Sequence, residues 1–433
     1  MPRVSVGFAD EEVERVRAMA LAGFEQARER QWPFLSDVLA RVLRGVPVED
    51  GAVVTAVVHA LVKYDRLLAF ATRSGNAGAR LDALRAMVRR GARDSKEPDA
   101  VDARIEAIAS RTERLGVTFS FPNWLVELIE EDIGADALEP ALARMNELAP
   151  RVARVNSLKT TREACVAGLV AEGLTARPTA HAAQGVVFDG RISPFRTQAF
   201  ARGEFEVQDE ASQMVAELVA PPPGSTVIDA CAGAGGKSLG LAALLAGRGR
   251  VVALDVAEAK LEELRRRARR AGASNVRAIA VDLLAPGDAL KVFEGTAERV
   301  LVDAPCTGLG AIRRNPELRW RLRPEQVVSM AEAQGRLLRA AASLVAPRGR
   351  VIYATCSFLK REGEAVFERF VADDPRFSRV TARDVLGRAR TEPLATSDGR
   401  YLRTWRFDGT PDGGDAGMDG FFAGVARLVG APS

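Results

Sequence analysis

Apolar positions recur at helical spacing through the first 115 or so residues. Val13, Val16, Ala20 and Phe24 form one such stripe, and Leu35, Val38, Leu39 and Val42 a second. Val53, Val57, Leu61, Tyr64 and Leu68 continue the pattern, which predicts an all-helical region, with the charged stretch 89–114 linking or ending it. The period then changes. "FPNWLVELI" (121–129) opens a short helix behind a proline, "RVARVNSLK" (151–159) reads as a strand, "TREACVAGLVAEG" as a helix and "GVVFDG" as a strand. From Gly203 onward, apolar runs alternate with amphipathic stretches. "STVIDA", "RVVALD", "NVRAIAVD", "RVLVDAPC" and "GRVIYATC" read as strands. Helices are expected after Lys237 to about Ala246, over the stripe Leu261, Leu264, Ala268 and Ala271, and from Pro324 to Val345. "TWRF" and "GFFAGVARLV" suggest a terminal antiparallel pair, and "DGGDAG" (412–417) a flexible loop.

Strands separated by helices imply an α/β fold with a parallel, doubly wound sheet. The expected organisation is a helical N-terminal domain (1–114), a small α+β segment (115–216) and a doubly wound domain (217–433).

Composition narrows the function classes. The chain has 433 residues, 47% of them hydrophobic, enough for two or three domains each with its own core. No uninterrupted apolar run reaches the roughly 18 residues of a membrane span, and the N-terminus lacks a basic-then-apolar signal pattern. A cytoplasmic protein with no membrane partner is the expectation. The net charge of +4 tolerates a nucleic-acid partner without demanding one. None of the four cysteines (Cys165, Cys231, Cys306, Cys356) forms a Cys-x-x-Cys pair, so no zinc is expected. The only histidines, His59 and His181, sit in a helical pattern and a loop-like stretch. Proton transfer or nucleophilic attack would therefore fall to Asp, Glu, Lys or Cys.

The stretch "VIDACAGAGGKSLG" (227–240) looks like a phosphate loop and misses by one glycine in two ways. A Walker loop needs glycine where Cys231 stands, and a dinucleotide loop needs one where Ser238 stands. A strand, a glycine turn and a helix remain, which suits a ligand at a strand's C-terminal edge. Four apolar strands finish in aspartate: Asp229, Asp255, Asp282 and Asp303. Asp255 is placed to accept from ribose hydroxyls and Asp282 to reach an adenine amino group, while Gly233, Gly235 and Gly236 admit the ligand to the backbone. Each acid could instead simply cap the next helix. No Arg/Lys cluster surrounds the loop to match a pyrophosphate. The ligand expected is a nucleoside without phosphates, and S-adenosylmethionine fits.

Cys306 follows the fourth strand in "DAPCTGLG" and Cys356 the fifth in "ATCSF". Neighbouring strands would bring both thiols to the ligand edge. A thiolate is a strong carbon nucleophile. Added at carbon 6 of a pyrimidine, it makes carbon 5 nucleophilic enough to accept a methyl group. A proton donor at ring nitrogen 3 assists the addition, and a base must then remove the carbon-5 proton so that the thiolate can leave. That chemistry needs two thiols and one carboxyl group, with no histidine and no metal.

The stretches "DACAGAGGKS", "DAPCTGLGAIRRNPELRWR", "YATCSF" and "VQDEASQMVAEL" resemble the RsmB/Sun family of RNA cytosine-5 methyltransferases, over roughly residues 121–428. The resemblance implies a class I methyltransferase Rossmann-like sheet preceded by an RRM-like platform, with a helical N-terminal domain where relatives carry a NusB-like RNA-binding bundle. It implies Cys356 as nucleophile, Cys306 as the thiol that helps release product, and Asp303 as a contact to the base. S-adenosylmethionine would be bound by Cys231, Ala232, Gly233, Ala234, Gly235, Gly236, Lys237, Asp255, Asp282 and Asp303. The chain departs from the family at Gly233-Ala234, where Ala-Pro is usual, and in the segment 360–364.

After Cys306 the chain carries Arg313, Arg314, Arg319, Arg321 and Arg323 around Trp320. Arginines pair with phosphates and an aromatic ring stacks on an unpaired base, so Arg313, Arg314 and Trp320 are expected to contact RNA. The reading is a monomeric enzyme acting on cytosine in 16S rRNA. The alternatives are the same reaction on tRNA, a catalytically silent RNA-binding assembly factor, and a small-molecule methyltransferase.

Overall fold

The computed structural model describes residues 9–92, 99–190, 193–406 and 417–430. The loop 412–417 expected to be flexible lies outside them except for Gly417. Among the described residues, no helix is long and apolar enough to cross a membrane. The chain divides into two compact units, residues 1–148 with 311–326, and residues 149–310 with 327–433.

The first unit is helical, as the spacing predicts, but extends beyond residue 114. Helices Arg111–Thr118, Asn123–Ile133 and Ala135–Arg144 belong to it. The charged stretch 89–114 is not simply a linker, since it includes helix Ala100–Glu106, whose Asp99 side chain accepts from the N–H groups of Val101 and Asp102. Phe24, Val57, Leu61, Leu67 and Leu81 are wholly buried in its core. Burial of each such side chain stabilises by about 1.5–3 kcal/mol.

The segment 311–326 belongs to this unit, and one arginine ties it at several points. Arg319 is fully buried. Its Nη1 donates to Lys63 O at 3.0 Å, Ser120 O at 3.3 Å and Asn146 Oδ1 at 2.9 Å. Lys63 ends helix Val48–Lys63, and Ser120 follows helix Arg111–Thr118. The guanidinium thus meets carbonyls at helix C-terminal ends, where a cation is favoured.

The second unit holds two sheets. The smaller contains β1 (Arg151–Val155), β2 (Thr175–Pro178), β3 (Gly185–Asp189) and β4 (Phe205–Val207), antiparallel in the order β2-β3-β1-β4. The larger contains β5 (Thr226–Asp229), β6 (Arg250–Asp255), β7 (Val276–Ala280), β8 (Ala297–Asp303), β9 (Val345–Thr355), β10 (Phe377–Val380), β11 (Leu402–Arg403) and β12 (Phe422–Leu428). Its order is β10-β12-β9-β8-β5-β6-β7, with β11 on β12. β5 to β9 pair in parallel, and β12 runs antiparallel between β9 and β10. The expected terminal antiparallel pair is present but shifted, with Leu402–Arg403 paired to β12. β12 also inserts beside β9, and Thr404–Arg406 is not strand, with Trp405 donating from Nε1 to Met418 O. Buried residues on both faces of the parallel strands, such as Val227, Ile228, Val251 and Val252, explain their continuous apolar runs.

The two sheets share buried polar ties. Arg154 of β1 donates to Gly236 O at 2.7 Å, and Glu206 of β4 accepts from Arg267 and Arg270 of helix Glu258–Ala271. Arg267 and Arg270 thus anchor the small sheet beside the large one.

Candidate active site

β8 and β9 pair with Asp303 opposite Ala354, so the loops leaving them run side by side. Cys356 is the first residue after β9, and Cys306 the third after β8. Their sulfurs lie 3.3 Å apart, and both side chains are half-buried. The Cys306 thiol is pushed well above its ordinary value, first by its hydrogen bond to Cys356, then by burial and by negative charge at Cys356 and Glu362. The protonated form of Cys306 is therefore favoured, and either sulfur can donate in the contact between them.

Lys237, in the first turn of helix Gly236–Leu244, is buried and pairs with Asp303 at 2.6 Å. Its ammonium also lies 4.9 Å from the centre of the Phe421 ring. Burial opposes the charge on Lys237. The Asp303 carboxylate outweighs burial, with a further contribution from Cys356, and the Lys237 pKa is raised. A cation near a thiol favours the nucleophilic thiolate.

The glycine turn occupies the neighbouring strand end. Asp255 accepts from Gly233 N–H at 2.8 Å and from Ala257 N–H at 2.9 Å, so it both fixes the turn and caps the next segment. Gly235 has φ +84°, and a Cβ there would lie 2.5 Å from Leu264 Cγ. At Gly233 (φ +54°) a Cβ would meet no atom within 4 Å, so this side of the turn is open. Cys231, Gly233, Ala234 and Gly236 are half-buried, and Ala232 is buried. An open glycine turn beside a carboxylate and free of paired phosphate ligands fits an adenosyl group.

Of the four strand-end acids, one departs from the expected ligand edge. Asp229 is sealed, 1% exposed, with Ser238 Oγ donating to it at 2.6 Å, so it faces the core and not a ligand. Asp282 lies two residues beyond β7, exposed, accepting from Leu284 N–H at 2.9 Å.

Two of the expected RNA contacts take part in packing of the helical unit. Arg313 is 3% exposed and lies 3.8 Å from Glu147 Oε2. Trp320 is half-buried, donates from Nε1 to Val62 O at 2.7 Å and lies 6.1 Å from the Trp32 ring. Arg314 is half-buried.

Sequence reasoning missed Glu362, Gln334 and Tyr353, which lie in a buried polar knot around the two thiol loops. One signal was available: each cysteine is followed by a hydroxyl residue, Thr307 or Ser357.

The parallel sheet, its antiparallel β12 and the glycine turn at the strand edge define the class as a methyltransferase-type α/β domain. Residues 216–423 match the family model "16S rRNA methyltransferase RsmB/F", and residues 121–193 match its ferredoxin-like domain. Ribosomal RNA small subunit methyltransferase B of Xylella fastidiosa is 33% identical over 329 residues, covering 74% of this chain and 72% of that protein. A Synechocystis relative is 36% identical over 260 residues, 60% of this chain, and the match spans 58% of that relative's length. The chain belongs to the RsmB/F methyltransferase family. The fold is also that of NSun6 from Pyrococcus horikoshii, at a TM-score of 0.62 and 19% identity, covering 72% of this chain and 99% of that one.

Proposed function

We propose that the chain methylates carbon 5 of a cytosine in small-subunit ribosomal RNA through a covalent bond between Cys356 and the base. The observation that carries this reading is the pair of sulfurs 3.3 Å apart at adjacent strand ends. S-adenosylmethionine, held by residues 231–237 with Asp255 and Asp282, would supply the methyl group. The NSun6 structure was solved with SFG, an analogue of S-adenosylmethionine, which supports this cofactor.

Cys356 attacks as thiolate at carbon 6, forming the S–C bond as the ring's 5,6 double bond opens. Asp303 meets the base at nitrogen 3, with the Lys237 ammonium behind it as the proton source. Addition also changes Cys306. The hydrogen bond to Cys356 and the charge on it, two of the influences holding the Cys306 proton, are lost once Cys356 is bonded to carbon. Cys306 then gives its proton to water and removes the carbon-5 proton of the methylated base, while the nitrogen-3 proton returns to the Asp303–Lys237 pair. The electron pair restores the double bond and expels Cys356. The base must be unpaired or flipped out to be reached, and Arg314 is a candidate for a phosphate contact from the arginine-rich stretch.

Incubating Cys306→Ala with RNA and S-adenosylmethionine tests the reading. A protein–RNA adduct that survives denaturation is expected, because addition proceeds and elimination stalls. Cys356→Ala should give neither adduct nor methyl transfer. An adduct in Cys356→Ala that is missing from Cys306→Ala would reverse the roles. Bisulfite mapping of rRNA and tRNA from a deletion strain identifies the substrate, and a lost mark on tRNA alone would replace the ribosomal assignment.

A further inference from the structure

Between the two thiol loops lies one carboxylate with no solvent exposure, Glu362. Its Oε1 accepts from Thr307 N–H at 2.9 Å and from Gln334 Nε2 at 3.0 Å. Its Oε2 accepts from Ser357 Oγ at 2.6 Å and from Thr307 Oγ1 at 2.5 Å. Thr307 follows Cys306 and Ser357 follows Cys356, so one side chain grips the chain beside both thiols. Gln334 also donates to Pro305 O at 2.9 Å, on the other side of Cys306. The Tyr353 hydroxyl lies 3.2 Å from Gln334 Oε1 and 2.5 Å from Glu362 O. The four donors to the carboxylate are neutral groups. A buried charge held this way is a poor device for stability alone, whereas a fully bonded polar network fixes one geometry.

We infer that Glu362 is a positioning residue that sets Cys306 and Cys356 in register by clamping the residue after each. The inference rests on the two-thiol reading above. It makes a distinction between steps. Addition uses Cys356 and does not need Cys306, whereas release needs Cys306 placed against carbon 5 of a base already bonded to Cys356. Loosening the clamp therefore weighs on release more than on addition. A misplacement of about 1 Å can cost on the order of 100-fold in rate.

The test measures adduct and turnover together, in the full chain with small-subunit rRNA and S-adenosylmethionine. In Glu362→Ala, turnover should fall at least about tenfold while the denaturation-resistant adduct rises above wild type. Glu362→Gln keeps an acceptor for Thr307 N–H, and the two hydroxyls can rotate to accept from its amide. It should lie between wild type and Glu362→Ala in both measures. A merely structural role would lower adduct and turnover together, and that result overturns the inference, as does wild-type behaviour of Glu362→Ala. Should Glu362→Ala fail to fold, Glu362→Gln decides: a raised ratio of adduct to turnover supports the clamp, and an unchanged ratio overturns it. Cys306→Ala is run alongside. Absence of adduct there sinks the two-thiol reading itself, while adduct there without any in the Glu362 variants sinks only the clamp.

Discussion

Cys306 and Cys356 carry the same side chain in different electrostatic company. Cys306 is held protonated by its partner's sulfur, by burial and by Glu362, while Cys356 lies within reach of the Lys237 charge. Lys237→Met should cut turnover about 100-fold, the usual weight of a positioned proton donor, in a steady-state assay. A change of less than about threefold would remove Lys237 from the chemistry. Asp229 makes a separate, pH-dependent contribution. Burial raises its carboxyl from 3.8 to about 6, against the opposing hydrogen bond from Ser238. The fold thus favours the protonated form. Its contribution to stability is complete below pH 3.8 and is lost as pH rises through about 6. Denaturation midpoints across this window should fall with pH more steeply in wild type than in Asp229→Asn; equal slopes would contradict the account. The two thiols and Asp303 stood out by residue type and place at the strand ends, whereas Lys237 came only with the family resemblance. Glu362 was not legible, because its importance comes from four donors that only folding assembles.

At the level of elements, the glycine turn is the most constrained piece. Gly235 combines a left-handed backbone with close approach to Leu264. Gly235→Ala should destabilise by about 2–4 kcal/mol, the sum of the backbone penalty and overpacking, read by chemical denaturation. A loss under about 0.5 kcal/mol would show that the turn relaxes freely. The central parallel strands were readable because they carry buried apolar runs and end near a polar turn. β10 was not: "FSRV" is short and half-exposed at the sheet edge, and carries no apolar run. The strand reading of "TWRF" failed for the opposite reason. Its apolar residue is buried by a side-chain contact, not by pairing in the sheet.

Across the whole molecule, residues distant in sequence complete each unit. The helical unit takes in 311–326, and Arg319 holds it to carbonyls from two helix ends. Arg319→Ala leaves three acceptors without this donor and should cost about 3 kcal/mol or more of stability. A shift below about 1 kcal/mol would mean that water replaces it. Trp320→Ala should likewise lower stability by about 2 kcal/mol, and the salt dependence of RNA binding should stay unchanged; a reduced salt slope would return this segment to the RNA interface. The packing roles of Arg313, Arg319 and Trp320 were not legible, because sequence shows charge but not which acceptors will meet it. The account as a whole is tested most directly with the wild-type chain, S-adenosylmethionine and small-subunit rRNA containing 5-fluorocytidine, whose fluorine cannot be removed as a proton is. Mass spectrometry of the digested, trapped complex should place the nucleotide on the peptide containing Cys356. Attachment to the Cys306 peptide, or no covalent complex with an RNA the enzyme otherwise methylates, would contradict it.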